Sequence, residues 1–152
     1  MMSSTGITSP ALRPATAADW TAIESLLTQA GLPLDGAQEH LTSFTVGDRA
    51  GAIVCAGGLE VYGDTALLRS VVVAPSQRGS GAGGLLFTAL ANVAQSRGVS
   101  TLYLLTTTAA SFFARRGFIQ AERATIPAAL RHSREFQGAC PATATLMSLS
   151  LT

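Results

Sequence analysis

The chain has 152 residues, of which 47% are hydrophobic and 12% are charged, and its formal net charge is +1. This length and this composition are typical of a globular protein with a sizeable core, and they exclude a disordered chain. The near-neutral charge argues against a nucleic acid or a membrane surface as partner, so any recognition of anions must be local. Two cysteines are too few for a disulfide framework, and no apolar run reaches transmembrane length. We therefore expect a cytoplasmic protein.

The chain begins with a segment that we expect to lie outside the fold. Residues 1–10 are rich in Ser and Thr and lack the basic start and apolar core of a signal peptide. We expect a flexible tail here and a single domain over residues 11–152. A short strand at Leu12–Ala15 is followed by an amphipathic helix, with Thr16 as its N-cap and Gly31 as its stop.

Strands dominate the next part of the chain. A second short helix is predicted at Asp35–Leu41, and two strands joined by a tight turn follow at Phe44–Arg49 and Ala52–Glu60. Leu67–Val73 is then a mostly apolar run that contains three consecutive valines, which is typical of a buried strand. Pro75 ends this strand.

A basic, glycine-dense turn comes next, with the sequence Arg78-Gly79-Ser80-Gly81-Ala82-Gly83-Gly84. It leads into a helix that should end near Arg97, before Gly98. Glycines let the backbone approach a ligand closely, and the unpaired N–H groups at a helix start attract anions. Strand, glycine turn and helix together predict a site for a phosphate or pyrophosphate. The alternative is a flexible loop before a core helix.

Three phosphate-loop patterns compete for this turn. Gly79, Gly81 and Gly84 match the dinucleotide fingerprint G-x-G-x-x-G, but a Pro-containing segment separates them from the strand. The nucleotide P-loop requires a lysine, and the chain contains none. The third pattern is R/Q-x-x-G-x-G/A after a V-x-P strand end, matched by Arg78, Gly81 and Gly83 after Val73-Ala74-Pro75. It resembles motif A of the GNAT superfamily, the acyl-coenzyme-A-dependent N-acetyltransferases.

A second stretch, Ala109–Phe118, resembles another GNAT signature, A-x-x-F-Y-x-x-x-G-F, and lies at a suitable distance from the glycine turn. In the family, this short helix packs against the pantetheine arm, and its tyrosine is often proposed to protonate the departing thiolate. Here the tyrosine position is Phe113, which has no proton to donate. This departure leaves the general acid unassigned, and it does not affect the expected fold.

The remaining elements and several phrases complete the resemblance. We predict strands at Leu102–Leu105 and Thr143–Leu151 and a helix at Ala128–Phe136. Three phrases together are similar to small N-acetyltransferases of bacterial arsenic-resistance operons, which are related to short N-acetylglutamate synthases: LEVYGDTALLRSVVVAP, LYLLTTTAASFFARRGF and REFQGACPA. The resemblance implies an α/β (α+β) GNAT fold, with one mixed, mostly antiparallel sheet of about six to seven strands and about four helices, splayed at the acetyl-CoA cleft. It is compatible with a homodimer.

The resemblance also implies acetyl-CoA as the acetyl donor, with no metal. Backbone amides of the glycine turn would take the pyrophosphate, and a strand N–H near Val72 would stabilise the oxyanion. The valines can be core residues at the same time, because the cofactor contact uses the backbone. The expected cofactor-binding residues are Val71, Val73, Arg78, Gly79, Ser80, Gly81, Ala82, Gly83, Gly84, Phe112, Phe113 and Arg116.

The reaction needs a group that takes a proton from the substrate ammonium. Glu60 is the first candidate, because it ends a strand next to Leu67–Val73 and could act through a water. Glu39 and His40 are alternatives for this base. A solvated, inactive glutamate is the alternative. Tyr62 or Tyr103 could orient the amine or a water. The catalytic candidates are therefore Glu60, Val72 and Tyr103.

Arg69 is the main candidate for substrate recognition, since a charge in a buried strand is costly unless it is paired or faces a cleft. It could clamp a substrate carboxylate, as could two arginines of the late helix. Alternatively, Arg69 forms a structural ion pair with Glu60 or Asp64. The substrate-binding candidates are Arg69, Ser70, Glu39, His40, Tyr62, Arg131 and Arg134.

The leading hypothesis is an enzyme that moves an acetyl group from acetyl-CoA to the amine of a small carboxylated substrate, amino-acid-like or organoarsenical. One alternative is an acyl-CoA sensor or interaction module that keeps the fold and the cofactor but lacks turnover. Another alternative is an N-acetyltransferase that acts on proteins or peptides. A turnover assay separates these hypotheses.

Overall fold

The computed structural model describes residues 9–152. The strands are β1 (Ala11–Pro14), β2 (Phe44–Arg49), β3 (Ala52–Tyr62), β4 (Thr65–Val73), β5 (Thr101–Thr106), β6 (Ile119–Gln120) and β7 (Thr145–Ser150). The helices are α1 (Trp20–Gln29), α2 (Ala82–Ser96) and α3 (Ala110–Ala114). Shorter helical turns cover Ala17–Asp19, Gln38–Ser43, Pro75–Gln77, Arg123–Thr125, Ala128–His132 and Glu135–Ala139. Within the described residues, no helix combines the length and the apolar character that crossing a membrane requires.

The strands form one seven-stranded sheet in the order β1-β2-β3-β4-β5-β7-β6. Strands β4 and β5 are parallel, whereas the pairs β1–β2, β2–β3, β5–β7 and β6–β7 are antiparallel. The expected mixed, mostly antiparallel sheet is therefore confirmed. The parallel register joins Thr65–Leu67 to Thr101–Tyr103, although β4 continues to Val73.

Of the described residues, the first of two compact units comprises those from Ser9 to Gly58 together with Ser70–Leu90. Thr16 precedes the helical turn Ala17–Asp19, and its N–H donates to the Asp19 carboxylate at 2.8 Å; Asp19, rather than the expected Thr16, is the N-cap residue of α1. Gly31 follows α1 with a φ of 71°, as the sequence predicts. The apolar face of α1 packs with residues of β2, β3 and β4. The buried residues of this core are Ile23, Leu26, Leu27, Ala37, Phe44, Val46, Ala56 and Val72.

The second unit comprises Leu59–Arg69 and Ala91–Thr152. Strand β5 pairs with β7 along its full length, and Gly98 follows α2 with a φ of 80°, again as predicted. An apolar cluster packs in this unit, and we call it the tyrosine-flanked cluster. Its buried members are Ile126, Leu130 and Leu146, and Tyr62, Tyr103, Leu105, Ala121 and Phe136 pack against them.

The prediction of a single helix at Ala128–Phe136 is wrong. Ser133 is extended, with φ −64° and ψ 137°, and it separates two short helical turns at Ala128–His132 and Glu135–Ala139. The Ser133 hydroxyl accepts the backbone N–H of Glu135 at 3.2 Å. A serine side chain therefore takes the place of a backbone carbonyl and breaks the helix.

The other differences concern the second short helix and the N-terminal residues. The short helix expected at Asp35–Leu41 lies at Gln38–Ser43 instead, with non-helical angles at His40. The expected flexible tail at residues 1–10 falls outside the described residues except for Ser9 and Pro10, of which Pro10 is buried. The single domain over residues 11–152 stays a prediction.

Candidate active site

The glycine turn carries the chain from β4 into α2. After the helical turn Pro75–Gln77, Arg78 is extended, and Gly79 and Gly81 adopt the left-handed φ values of 82° and 88°. Glycine adopts these angles without the strain that a Cβ would introduce. Apart from their own neighbours in the chain, no heavy atom of residues 9–152 lies within 4 Å of the position that a Cβ would take at either glycine. The turn is thus backbone with open space beside it, as close approach to a ligand requires.

Gly81 is the residue from which α2 starts. The N–H of Leu85 donates to the Gly81 carbonyl at 3.2 Å, which is the first backbone bond of the helix. The N–H groups of Ala82, Gly83 and Gly84 belong to the first turn, where a helix supplies no acceptor of its own. The N–H of Ala82 donates to the Ser80 hydroxyl at 3.4 Å. The amides of Gly83 and Gly84 and the positive end of the dipole of a 15-residue helix favour a phosphate.

Side chains brace the glycine turn from within the first unit. The Ser80 hydroxyl donates to the Gln77 carbonyl at 2.5 Å, and a guanidinium nitrogen of Arg49 donates to the Gln77 side chain at 2.8 Å. Arg78 Nε donates to the carbonyl of Val73, at 3.4 Å. The exposed Arg78 side chain therefore places a positive charge beside the turn.

Strand β4 is distorted at Ser70, a buried residue with a φ of 58°. A non-glycine residue in this region carries about 1–3 kcal/mol of strain, and such outliers concentrate at functional sites. The residues before it, from Thr65 on, are all buried, whereas after it Val71 and Val73 are half-buried and Val72 is buried in the core. The distortion therefore changes which side chains β4 buries, just where the sequence predicts the acetyl-CoA contacts.

Arg69, Glu60 and Glu135 form a buried charged cluster in the second unit, and they are 2%, 1% and 4% exposed. Arg69 Nη1 donates to Glu60 Oε2 at 2.7 Å, and Arg69 Nη2 lies 3.5 Å from Glu135 Oε2. The Tyr62 hydroxyl donates to Glu60 Oε1. The ion pair of Arg69 with Glu60 that the sequence offered as an alternative is therefore present. Glu60 is not a solvated strand end, because β3 continues to Tyr62.

The cluster has two carboxylates for one guanidinium. Burial raises the pKa of Glu135 to about 7, against the attraction of Arg69 and with the repulsion of Glu60. The Cys140 thiol is hydrogen-bonded to Glu135, and burial together with this carboxylate raises the pKa of the thiol to about 12. Burial, followed by the hydrogen bond to Glu60, also raises the pKa of Tyr62. Tyr62 and Cys140 are therefore neutral near pH 7.

Glu135 is the residue of this cluster that the sequence did not single out. In the expected late helix, Arg134 and Glu135 would be polar surface residues, whereas the break at Ser133 leaves Glu135 buried. The signal that was available is Arg69 itself, since a buried guanidinium requires partners.

The second signature forms α3, and its aromatic residues pack against one another. Phe113 is buried and lies edge-on to Phe112 and Phe118, with ring centroids 5.0 and 5.5 Å apart. The Arg116 guanidinium lies 3.7 Å over the Phe112 ring and donates to the Phe112 carbonyl at 3.0 Å. Phe113, at the expected tyrosine position, thus fills a small aromatic core.

The other predicted residues lie elsewhere in the fold. Tyr103, on β5, packs against the tyrosine-flanked cluster. Glu39 and His40 are in the first unit, on the turn Gln38–Ser43, while Arg131 and Arg134 are exposed in the second. Across residues 9–152, no group of three or more His, Cys, Asp or Glu side chains is arranged to hold a metal ion.

Comparison with known proteins identifies the family of the chain. Residues 40–120 match the model of a family described as the acetyltransferase (GNAT) domain. A protein of Pasteurella multocida (strain Pm70) named amino-acid acetyltransferase is 32% identical over 138 residues, which cover 85% of this chain and 31% of that protein. Another of the same name, from Mannheimia succiniciproducens, is 30% identical over 117 residues, or 73% of this chain and 27% of that protein. The chain thus spans less than a third of these relatives.

Solved structures show the same fold. N-acetylglutamate synthase from Neisseria gonorrhoeae, complexed with coenzyme A and N-acetyl-glutamate, has a TM-score of 0.82 at 22% identity, covering 97% of this chain and 36% of that one. Rv2747 from Mycobacterium tuberculosis, solved with CoA and a second ligand, has a TM-score of 0.79 at 25% identity, covering 94% of this chain and 100% of that one. Acetyl-CoA is the donor in this family. With a family match over more than half of its residues, the chain belongs to the GNAT family of acetyltransferases.

Proposed function

We propose that the chain transfers the acetyl group of acetyl-CoA to the amine of a small carboxylated substrate, by direct attack of the amine on the thioester. The observation that carries the proposal is the buried guanidinium of Arg69 on β4, the strand that leads into the glycine turn. The amino-acid acetyltransferases similar to this chain, and the N-acetyl-glutamate bound by a similar structure, support a carboxylated amine.

In this proposal, the backbone of the glycine turn holds the pyrophosphate of the donor. The N–H groups of Gly83 and Gly84 and the charge of Arg78 supply the attraction. Gly79, Ser80 and Gly81 shape the turn, and α3 contributes Phe112, Phe113 and Arg116 toward the remainder of the cofactor. The stacked and hydrogen-bonded Arg116 is well fixed for such a contact.

The end of β4 is proposed to meet the pantetheine arm through its backbone. The brief pairing of β4 with β5 and the left-handed Ser70 support this role for Val71 and Val73. The N–H of Val72 would stabilise the negative charge that develops on the thioester oxygen. The buried Val72 side chain holds that N–H in place, because it packs into the core of the first unit.

The substrate ammonium must lose a proton before it can attack. We assign Glu60 as the acceptor and the Tyr62 hydroxyl as the path, because that hydroxyl donates to Glu60. The ammonium proton passes to the Tyr62 oxygen while the Tyr62 proton passes to Glu60, so Tyr62 stays neutral, consistent with its raised pKa. Tyr103 would orient the amine or a water. The thiolate can depart without a side-chain acid, which suits phenylalanine at position 113.

Arg69 would bind the substrate carboxylate, with Ser70 beside it on β4. A guanidinium presents paired N–H groups to a carboxylate, and burial strengthens this attraction. Arg131 and Arg134, which are exposed in the same unit as Arg69, are proposed to contact the rest of the substrate, while Glu39 and His40 stay predictions from the sequence. The similarity to transferases of arsenic-resistance operons extends the proposed substrates to organoarsenical amino acids, which carry the same ammonium and carboxylate.

The test is release of coenzyme A, followed with a thiol reagent, from acetyl-CoA and a panel of amines. The panel comprises the amino acids, phosphinic and arsinic amino acids, polyamines and a lysine peptide. Turnover on a carboxylated amine supports the proposal, and turnover on the lysine peptide alone would replace it with a protein acetyltransferase. Thermal stabilisation by acetyl-CoA without turnover on any amine would favour the acyl-CoA sensor.

A further inference from the structure

The charged cluster contains a second carboxylate that the proposed reaction does not use. Glu60 accepts from Arg69 Nη1 at 2.7 Å, a distance typical of a charge-assisted hydrogen bond. Glu135 reaches Arg69 Nη2 at 3.5 Å, which is longer than such a bond. Of the two carboxylates on Arg69, Glu135 is therefore held less closely.

Glu135 also differs from its neighbours in the element that carries it. Glu60 and Arg69 lie on the long strands β3 and β4, whereas Glu135 starts the short turn Glu135–Ala139. This turn is irregular, with non-helical angles at Gln137 and a φ of 114° at Gly138. The Glu135 side chain can therefore leave Arg69 without any change in the pairing of the sheet.

We propose that Glu135 is a proton-coupled positioning residue: in the free protein its carboxylate occupies Arg69, and a substrate carboxylate takes that place while Glu135 takes up a proton from solvent. This inference rests on the proposed function, because it concerns how the same Arg69 receives its substrate. The step forms one O–H bond on Glu135 and breaks no bond of the substrate. The charge of the cluster stays constant, since one carboxylate replaces another.

The groups around Glu135 explain why it takes the proton. Arg69 attracts the ionised form, Glu60 repels it, and the Cys140 thiol donates to it. The positive charge of Arg123 favours the ionised form of the Cys140 thiol, but burial and Glu135 outweigh this effect and the thiol is neutral near pH 7. Away from Arg69 but still enclosed, Glu135 loses the attraction that lowers its pKa and meets a further negative charge in the substrate. Both changes favour the neutral carboxylic acid.

The proposal sets a pH dependence for the binding of carboxylates. If the protonated form of Glu135 is the one that admits a ligand, a pKa of about 7 leaves about nine-tenths of the protein competent at pH 6 and about one-tenth at pH 8. The apparent dissociation constant of a carboxylate should therefore rise about tenfold between these pH values. Binding at pH 8 should take up about one proton.

The experiment is isothermal titration calorimetry of the CoA-saturated protein at pH 6 and 8, in two buffers of different ionisation enthalpy. The ligand is the N-acetyl derivative of whichever amino acid turns over, or N-acetyl-glutamate if none does, because neither contains an amine that titrates. The variant is Glu135→Gln, with Glu122→Gln, an exposed glutamate of the same unit, as its matched control. Circular dichroism and thermal unfolding establish that each variant is folded.

We expect wild type and Glu122→Gln to lose about tenfold in affinity from pH 6 to 8 and to take up a proton at pH 8. Glu135→Gln should bind at both pH values with the wild-type affinity of pH 6, without proton uptake. The proposal would be overturned if the wild-type protein showed the same affinity at pH 6 and 8, no proton uptake, or no binding at pH 6. It would also be overturned if folded Glu135→Gln kept the dependence of affinity on pH. The wild-type results stand even if Glu135→Gln fails to fold. If an amino acid turns over but the affinity for its N-acetyl derivative is the same at pH 6 and 8, the role of Glu135 is refuted and the proposed function stands.

Discussion

Replacing Arg69 by leucine should destabilise the protein strongly, for a reason that the buried cluster makes explicit. The substitution leaves Glu60 and Glu135 enclosed without the guanidinium that lies 2.7 Å and 3.5 Å from their oxygens. Breaking a buried ion pair by removing one partner costs about 3–5 kcal/mol, because the remaining charge is buried and uncompensated. We expect the free energy of unfolding in urea at pH 7.5 to fall by this amount.

The double variant Arg69→Leu/Glu60→Leu separates this explanation from simple loss of packing. It removes the stranded Glu60 carboxylate, and Glu135 can become neutral because its pKa is already about 7. We expect the double variant to recover at least half of the lost stability, and the exposed control Arg115→Leu to change it by less than about 0.5 kcal/mol. A stable single variant, or a double variant less stable than the single one, would refute the reasoning.

Three further predictions concern the strained strand, the second carboxylate and the glycine turn. Ser70→Val places a β-branched residue at a φ of 58° and should lower the free energy of unfolding by about 1–3 kcal/mol in chemical denaturation. The control Ser148→Val on β7 should have little effect. Equal effects of the two substitutions would show that the backbone at Ser70 is not strained. The folded pKa of Glu135 lies above its usual value, so between about pH 4.5 and 7 the folded state binds more protons and stability falls as pH rises. Relative to wild type, Glu135→Gln should therefore gain up to about 3 kcal/mol in thermal or urea unfolding between pH 5 and 8; a constant difference would contradict the assigned pKa. Gly83→Glu puts a carboxylate in the first turn of α2 and should weaken acetyl-CoA binding by at least about tenfold in calorimetry. The control Thr88→Glu, on the exposed face of the same helix, should leave the affinity unchanged. Wild-type affinity in folded Gly83→Glu would show that the cofactor does not bind at this turn.

Much of the fold could be predicted from the sequence, because its signals are local. The glycine turn, the end of α1 at Gly31 and the end of α2 at Gly98 each depend on glycine, which has a distinct backbone preference. Strands β3 and β4 stand out as mostly apolar runs bounded by turn residues. The helix predicted at Ala128–Phe136 is absent, although its polar and apolar residues have helical spacing, because the Ser133 hydroxyl accepts the backbone N–H of Glu135.

The candidate site was only partly predictable, because it depends on residues distant in the chain. The burial of Arg69 and its pairing with Glu60 follow from a charge within an apolar strand. Glu135 lies 66 positions further along the chain, and it is buried just after the break in the expected helix. The left-handed angle of Ser70 has no local signal, since serine does not favour it and the surrounding structure must impose it.

The most direct test of the central claim compares kcat/KM for an amino acid with kcat/KM for its α-amide, using acetyl-CoA as donor. The two substrates offer the same amine, so the ratio reports recognition of the carboxylate. We expect the amide to be poorer by at least about a hundredfold, since a neutral amide cannot replace the Glu135 carboxylate on the buried Arg69 guanidinium. Equal values for acid and amide would contradict the account, because Arg69 would then be a structural residue and the substrate would be selected elsewhere.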